Sequence, residues 1–266
     1  MLRAEILKLR TLPSTRIAFL AGAVGLLVTQ VLFVGLIPAL ADGTVIAGDI
    51  PVEEFGAADP GTAEFQLTAL NLLGGGQGAG TLGIATIAIL LLGMLVATTD
   101  YRFGGIVGTA LAQPRRGQIV VGKTGATIAA GAVLGAILAV VVSVVLAGAL
   151  ALRGIGLELA PLEALGILGR GVIVVVLLAL LGLGIGTLVR NQVASILVVF
   201  AVLLGEPILQ GIVSLVVGTV PTWATYLPSS LASAGIGGSW GAILGLAAIA
   251  AALLGAATLV LRRRDL

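Results

Sequence analysis

Thr124-Gly-Ala-Thr-Ile-Ala-Ala-Gly-Ala-Val-Leu-Gly-Ala-Ile-Leu-Ala-Val-Val-Val-Ser-Val-Val-Leu-Ala-Gly-Ala-Leu-Ala-Leu152 contains no charged residue and only three hydroxyls. A bilayer core of about 30 Å is crossed by about 20 apolar residues in helical form. The stretch is therefore long enough to span a membrane, and it is too uniformly apolar for a helix with one wet face.

Similar runs lie on both sides of it. Spans are expected at about 17–40, 78–98, 124–152, 171–189, 193–219 and 241–261, separated by short polar breaks. The whole chain of 266 residues is 59% hydrophobic and 10% charged, with mean hydropathy +1.21. Soluble domains carry roughly a quarter of their residues as charges. The expected class is an all-α integral membrane protein forming one transmembrane domain of six helices.

The formal charge of +2 does not point to nucleic acid, because the basic residues flank the apolar runs. Of the 14 Lys and Arg, only Arg153 and Arg170 fall on one side of the resulting topology. The others lie on the opposite side. By the positive-inside rule that side is cytoplasmic, and it holds both termini. The closing Arg262, Arg263 and Arg264 anchor the last span there.

The N-terminal stretch, residues 1–16, reads as an amphipathic surface helix. Leu2, Ile6 and Leu9 fall on one side and Arg3, Lys8 and Arg10 elsewhere, with Glu5 among them. Pro13 is expected to end it and Ser14 to cap the first span. The segment 41–77 holds Asp42, Asp49, Glu53, Glu54, Asp59 and Glu64 without Lys or Arg and reads as an external loop. The segment 99–123, with Asp100, Arg102, Arg115, Arg116 and Lys123, is the largest internal loop, and Arg190-Asn191-Gln192 is a tight internal turn.

Span five meets Glu206-Pro207, where proline removes a donor and disfavours helical geometry before it. A break is expected near 207. Beyond it Pro221, Pro228, Trp223, Tyr226 and Trp240 suggest partial helices dipping into the outer leaflet as a re-entrant segment. Glu206 is an acid well inside an apolar run, and such residues often mark transport paths. Glu206, Pro207 and Gln210 are thus the candidates for a translocation path or a helix break.

Other chemistry is thinly represented. The chain has no Cys and no His, which removes thiol and imidazole catalysis and the commonest zinc ligands. Gly117-Gln-Ile-Val-Val-Gly-Lys-Thr124 matches the phosphate-loop pattern letter for letter. That loop needs a preceding buried strand and a soluble helix, whereas here Arg115-Arg116 precede and the bilayer follows. Lys123 is read instead as a membrane-surface anchor. Gly131-x-x-x-Gly135, Gly182-x-x-x-Gly186 and Gly241-x-x-x-Gly245 have the spacing that lets helices approach closely, for ordinary packing rather than a dimer seam.

Four stretches together resemble the membrane subunits of type II ABC exporters, in the form where permease and ATPase are separate chains. They are Leu2-Arg-Ala-Glu-Ile-Leu-Lys-Leu-Arg10, Asp100-Tyr-Arg-Phe-Gly-Gly105 through Leu111-Ala-Gln-Pro-Arg-Arg116, Gly184-Ile-Gly-Thr-Leu-Val-Arg-Asn191, and Arg263-Arg-Asp265. The pattern differs at Asp100, where Glu is more usual, and at Gly105, where Thr is common.

The resemblance implies that Arg3, Glu5, Lys8 and Arg10 belong to a surface connecting helix. It also implies that Asp100, Tyr101, Arg102, Phe103, Gly104, Gly105, Arg115 and Arg116 belong to the loop that docks into the ATPase. The implied complex is a second permease copy, giving a homodimer, with two ATPase subunits that bind ATP and Mg, in a bacterial plasma membrane. No catalytic residue, cofactor, metal or nucleotide site is expected in this chain. The implied activity is efflux of an amphipathic or lipophilic compound by alternating access. The competing expectation is a proton- or ion-coupled secondary transporter using Glu206.

Overall fold

A computed structural model describes residues 2–41, 59–74, 83–102, 116–219 and 221–263. The elements among them are α1 (Leu2–Thr11), α2 (Pro13–Val31), α3 (Ala63–Ala69), α4 (Ile84–Arg102), α5 (Arg116–Arg153), α6 (Pro161–Val189), α7 (Gln192–Val217), a 3-10 turn (Thr222–Tyr226), α8 (Pro228–Ile236) and α9 (Trp240–Arg263). No strand occurs among the described residues. Six helices are long and apolar enough to cross a membrane, the architecture of a multi-pass membrane protein. In lipid this is the expected outcome, because every backbone N–H and C=O must be satisfied inside its own segment.

α6 is the hub, packing against α4, α5, α7, α8 and α9. α4 and α6 are 72% and 61% buried over their apolar windows, whereas α7 and α9 are only 22% buried. The first pair is thus the interior of the bundle. The others present long apolar faces outward, among them Val193, Leu197, Leu204 and Ile208 on α7.

Glycine sets the spacing at the hub. A Cβ at Gly93 on α4 would stand 1.7 Å from the Ala179 carbonyl of α6, and one at Gly182 on α6 would stand 2.1 Å from the Leu90 carbonyl of α4. Neither is possible without moving a helix. Gly131 and Gly135 also bring α5 close to α6, less extremely, since an added Cβ would stand 3.2 Å from the Val176 and Val172 Cα atoms. Gly186 meets α4 and Gly245 meets Leu231 of α8, so these small-residue spacings serve packing within the chain.

Several boundaries differ from the expected ones, each for a definite reason. α1 ends at Thr11, and Pro13 opens α2 rather than separating two segments, with Leu12 at the cap position and no capping side chain. Proline fits there because the first helical residue needs no N–H partner. α2 widens into a π-helical stretch at Leu32–Leu36 and continues through Ile37–Ala41. That stretch contains Val34, whose carbonyl Pro38 is unable to bond.

The span expected at 78–98 is helical over Ile84–Arg102, and the one expected at 124–152 runs over Arg116–Arg153. The internal loop of 99–123 is therefore shorter: 99–102 and 116–123 are helical turns, while 103–115 lies outside the described residues. The phosphate-loop look-alike at Gly117–Thr124 is thus entirely α-helical, with no loop to wrap a phosphate. The span expected at 171–189 starts at Pro161, with Glu163 in its first turn, where an acid suits the helix dipole. Arg170 is inside it, and its Nε donates to the Ile236 carbonyl at 3.2 Å.

The expected break at Pro207 does not occur: α7 is continuous over Gln192–Val217 with the proline inside. Proline forfeits one bond, to Leu203, whereas unwinding would strand many more backbone groups. The helix stops instead at Gly218, whose φ of 77° is the left-handed cap conformation. Between α7 and α9 the 3-10 turn and α8 follow as two short helices, and α8 packs on α6 and α9.

The acidic segment 41–77 also contains ordered structure. Thr62 caps α3 by accepting the Phe65 N–H at 3.3 Å, and Phe65 stacks on Phe33 with centroids 5.1 Å apart. The fully buried Gln66 amide donates to the carbonyls of Pro60 (3.0 Å) and Gly156 (3.1 Å) and accepts the Glu158 N–H at 2.8 Å. One side chain thereby ties this segment to the α5–α6 turn.

Gly93→Ala and Gly182→Ala each overpack the α4–α6 crossing. Each is expected to lower stability by about 1–3 kcal/mol or more, read as the thermal unfolding midpoint in detergent. Gly211→Ala, where the added carbon meets no neighbouring element within 4 Å, should show no loss and a gain of up to about 1 kcal/mol from helix propensity.

Candidate functional site

Four charged residues from three helices meet where the α4 C-terminus, the α5 N-terminus and α1 converge. Asp100 sits on the last turn of α4, Lys123 two turns into α5, and Glu5 and Lys8 on α1. Three of them are far from solvent, Glu5 and Asp100 at 6% exposed each and Lys123 at 4%, while Lys8 is half-buried at the edge. Lys123 donates to Asp100 and to the Val96 carbonyl at 2.9 Å, and its Nζ lies 3.5 Å from Glu5. Lys8 donates to Asp100 and lies 4.0 Å from Glu5.

Local sequence explains the placement. One turn of helix separates Glu5 from Lys8, so both face the bundle together, and Leu2 rests on α5 against Gly125. The Val96 carbonyl lies one turn before Asp100, so a single ammonium reaches both. Two carboxylates and two ammonium groups sum to no net charge. This balance makes burial tolerable, since an isolated charge there would be strongly disfavoured.

The arrangement couples three elements. α4 and α5 are the two helices that lead into and out of 103–115, and the charges lock both of them to α1. Of the predicted loop residues, Asp100 is in this cluster and Tyr101 beside it. Arg102 and Arg116 are backbone members of α4 and α5, and Phe103, Gly104, Gly105 and Arg115 lie outside the described residues. Of the predicted surface-helix residues, Glu5 and Lys8 turn inward, while Arg3 and Arg10 are exposed.

Lys123 was expected to be a surface anchor and is instead the most buried charge in the cluster. A signal for it exists in the sequence: Lys8 and Lys123 are the chain's only lysines, and Asp100 is the only acid between Phe65 and Leu157. Arg190 is a second unanticipated neighbour. It ends α6 with φ 59°, a left-handed conformation strained for a side-chain-bearing residue, and its guanidinium lies 5.9 Å from the Tyr101 ring centroid. A cavity of about 450 Å³ opens between Tyr101 and the Arg190–Val193 turn.

Glu206 and Gln210 form a separate site at the other end of the bundle. They lie one turn apart on α7 and are 7% and 5% exposed. Glu206 Oε2 accepts the Ser229 N–H at 2.9 Å and the Ser229 hydroxyl, and Gln210 Nε2 donates to Ser230 Oγ at 3.0 Å. Ser229 and Ser230 belong to the first turn of α8, where free amides and the positive dipole end favour a carboxylate. The acid beside Pro207 is a clasp for α8. Pro207 itself makes no break, so the three residues do not mark a gap in the helix.

No protein-family model matches the chain, and no curated protein matches it.

Lys123→Met leaves Glu5 and Asp100 sharing one ammonium and should cost about 3–5 kcal/mol, the range for breaking a buried pair. Adding Asp100→Asn restores the charge balance and should recover at least half of that loss in a double-mutant cycle. Equal unfolding midpoints for Lys123→Met and the native chain would contradict the ion-pair reading.

Proposed function

We propose that this chain is the permease subunit of an ATP-driven exporter of the type II ABC kind, inserted in a bacterial plasma membrane with the Glu5–Lys8–Asp100–Lys123 end facing the cytoplasm. The observation that carries the reading is the buried charged cluster joining α1 to both helices that border 103–115. A push on that segment by an ATPase would reach α1, α4 and α5 together, as one body, instead of being lost in side-chain rearrangement. The sequence pattern of residues 100–116 and the basic cytoplasmic face are what suggest an ATPase as the source of the push.

In this reading the spans rock against those of a second copy, for which the weakly covered α7 and α9 supply apolar surface. Amphipathic or lipophilic cargo then moves between the halves by alternating access. The short helices between α7 and α9 act as a re-entrant element in the outer leaflet. ATP and Mg belong to the partner subunits, and this chain contributes coupling and the path.

A proton-coupled transporter using Glu206 is the competing reading. Its weakness is that Glu206 is already engaged in holding α8, whereas a cycling proton carrier must exchange partners. Its strength is that Glu206 Oε1 is buried without a hydrogen-bond partner among the described residues.

Two variants separate these readings. Arg115→Glu/Arg116→Glu should insert and fold normally yet reduce ATPase co-purification and export by about tenfold or more. Normal assembly and export would remove the coupling assignment. Glu206→Gln keeps an oxygen for Ser229 and should leave export and its response to a pH gradient unchanged. Loss of a pH-driven component would favour the proton-coupled transporter.

A further inference from the structure

A second cavity, of about 560 Å³, opens where α1 crosses the start of α2 and the third to fifth turns of α5. Its walls are apolar: Ile6 and Leu9 from α1, Phe19 from α2, and Ala126, Ala130 and Val133 from α5. The α5 wall is built mainly from alanines, which leaves room beside the helix. Two cations line the same cavity, Arg10 and Arg16. Arg16 is fixed in place by donating Nε and Nη2 to the Arg10 carbonyl at 3.3 and 3.1 Å. Its remaining N–H donors are left for another acceptor.

No carboxylate among the described residues pairs with these arginines. Glu5 is the only acid in residues 2–41, and it is held between Lys8 and Lys123. Among the described residues neither Arg10 nor Arg16 takes part in the ion pairs of the Lys8–Lys123 cluster. An apolar cavity lined as well by two guanidinium groups outside the ion-pair cluster matches a molecule with a hydrocarbon chain and an anionic head. Arginine forks suit phosphate oxygens in particular. Two fixed positive charges also repel an ammonium, so a headgroup carrying both phosphate and choline is disfavoured.

We propose that this groove binds one anionic phospholipid of the adjoining leaflet, with an acyl chain against Phe19, Ala126, Ala130 and Val133 and its phosphate on Arg10 and Arg16. The bound lipid packs α1 against α2 and α5 beside the Glu5–Lys123 cluster, since Lys123, Ala126 and Ala130 share one face of α5. The surface helix is then held by ion pairs and, next to them, by lipid. The proposal requires only that the six helices span a membrane, and it stands whether or not an ATPase drives the protein.

The test is lipid retention by the intact chain. The protein is reconstituted in vesicles of phosphatidylcholine with phosphatidylglycerol, re-extracted in mild detergent, and the lipid carried through is quantified by mass spectrometry. Phosphatidylglycerol is expected to be retained at about one per chain and to fall about fivefold for Arg10→Gln and again for Arg16→Gln, the effect of removing one basic contact to an anionic lipid. Ala129→Phe, which fills the groove from its exposed side and keeps both arginines, should lose it as well. Arg3→Gln removes the same charge from α1 without lining the groove and should retain it. Inorganic phosphate at millimolar concentration should not displace the lipid.

Retention that ignores Ala129→Phe, falls equally for Arg3→Gln, or is the same for phosphatidylcholine would overturn the proposal. Displacement by phosphate would show a free-anion site, and protection of the groove by a second copy of the chain or by exported cargo would show another occupant. Either result also overturns it.

Discussion

The ammonium of Lys123, enclosed between α1, α4 and α5, is the constraint on which the lower half of the molecule depends. A charge so far from water persists only when its partners are in place, and those partners come from two other helices. Asp100 determines where α4 ends relative to α5, and Glu5 with Lys8 determines where α1 lies. The ion pairs are directional in a way that the surrounding apolar packing is not, so they select one arrangement of three helices that hydrophobic contact alone would leave free to slide.

The glycine contacts between α4 and α6 play the complementary part in the membrane interior. Lipid gives little hydrophobic drive for helix association, so close approach and dispersion carry it. Gly93 and Gly182 put the two backbones in direct contact, and α6 then holds the remaining spans around it. Farther from the charged cluster, Gln66 ties the 59–74 segment to the α5–α6 turn, and Glu206 ties α8 to α7. At three levels of the bundle, then, a buried polar side chain or a pair of glycines fixes what apolar surface leaves undetermined.

The existence and number of spans are legible in the sequence because hydropathy over about 20 residues is a local property. Their limits are not, because a charge ends a span only when it remains unpaired. Asp100 and Lys123 read as loop residues and are helical because they pair with each other. Pro207 reads as a break and is not one, because the bilayer disfavours unwinding more than the loss of one bond. The inward turn of Glu5 and Lys8 depends on contacts with residues roughly a hundred positions away in the chain, which periodicity does not encode. The clasp role of Glu206 likewise needs the position of Ser229, though the choice of Glu206 and Gln210 as unusual residues was available from their apolar surroundings.

The chain has no cysteine, so spin labels are readily placed at chosen sites. Leu7 on α1 and Val121 on α5 are exposed at 64% and 71% and flank the cluster. Electron–electron distance measurement between labels on Leu7→Cys and Val121→Cys in reconstituted protein should give one narrow distribution, which broadens when Lys123→Met is added. A broad distribution in the otherwise native chain, or one that stays equally narrow without Lys123, would contradict the claim that the buried ion pairs hold α1 to the bundle.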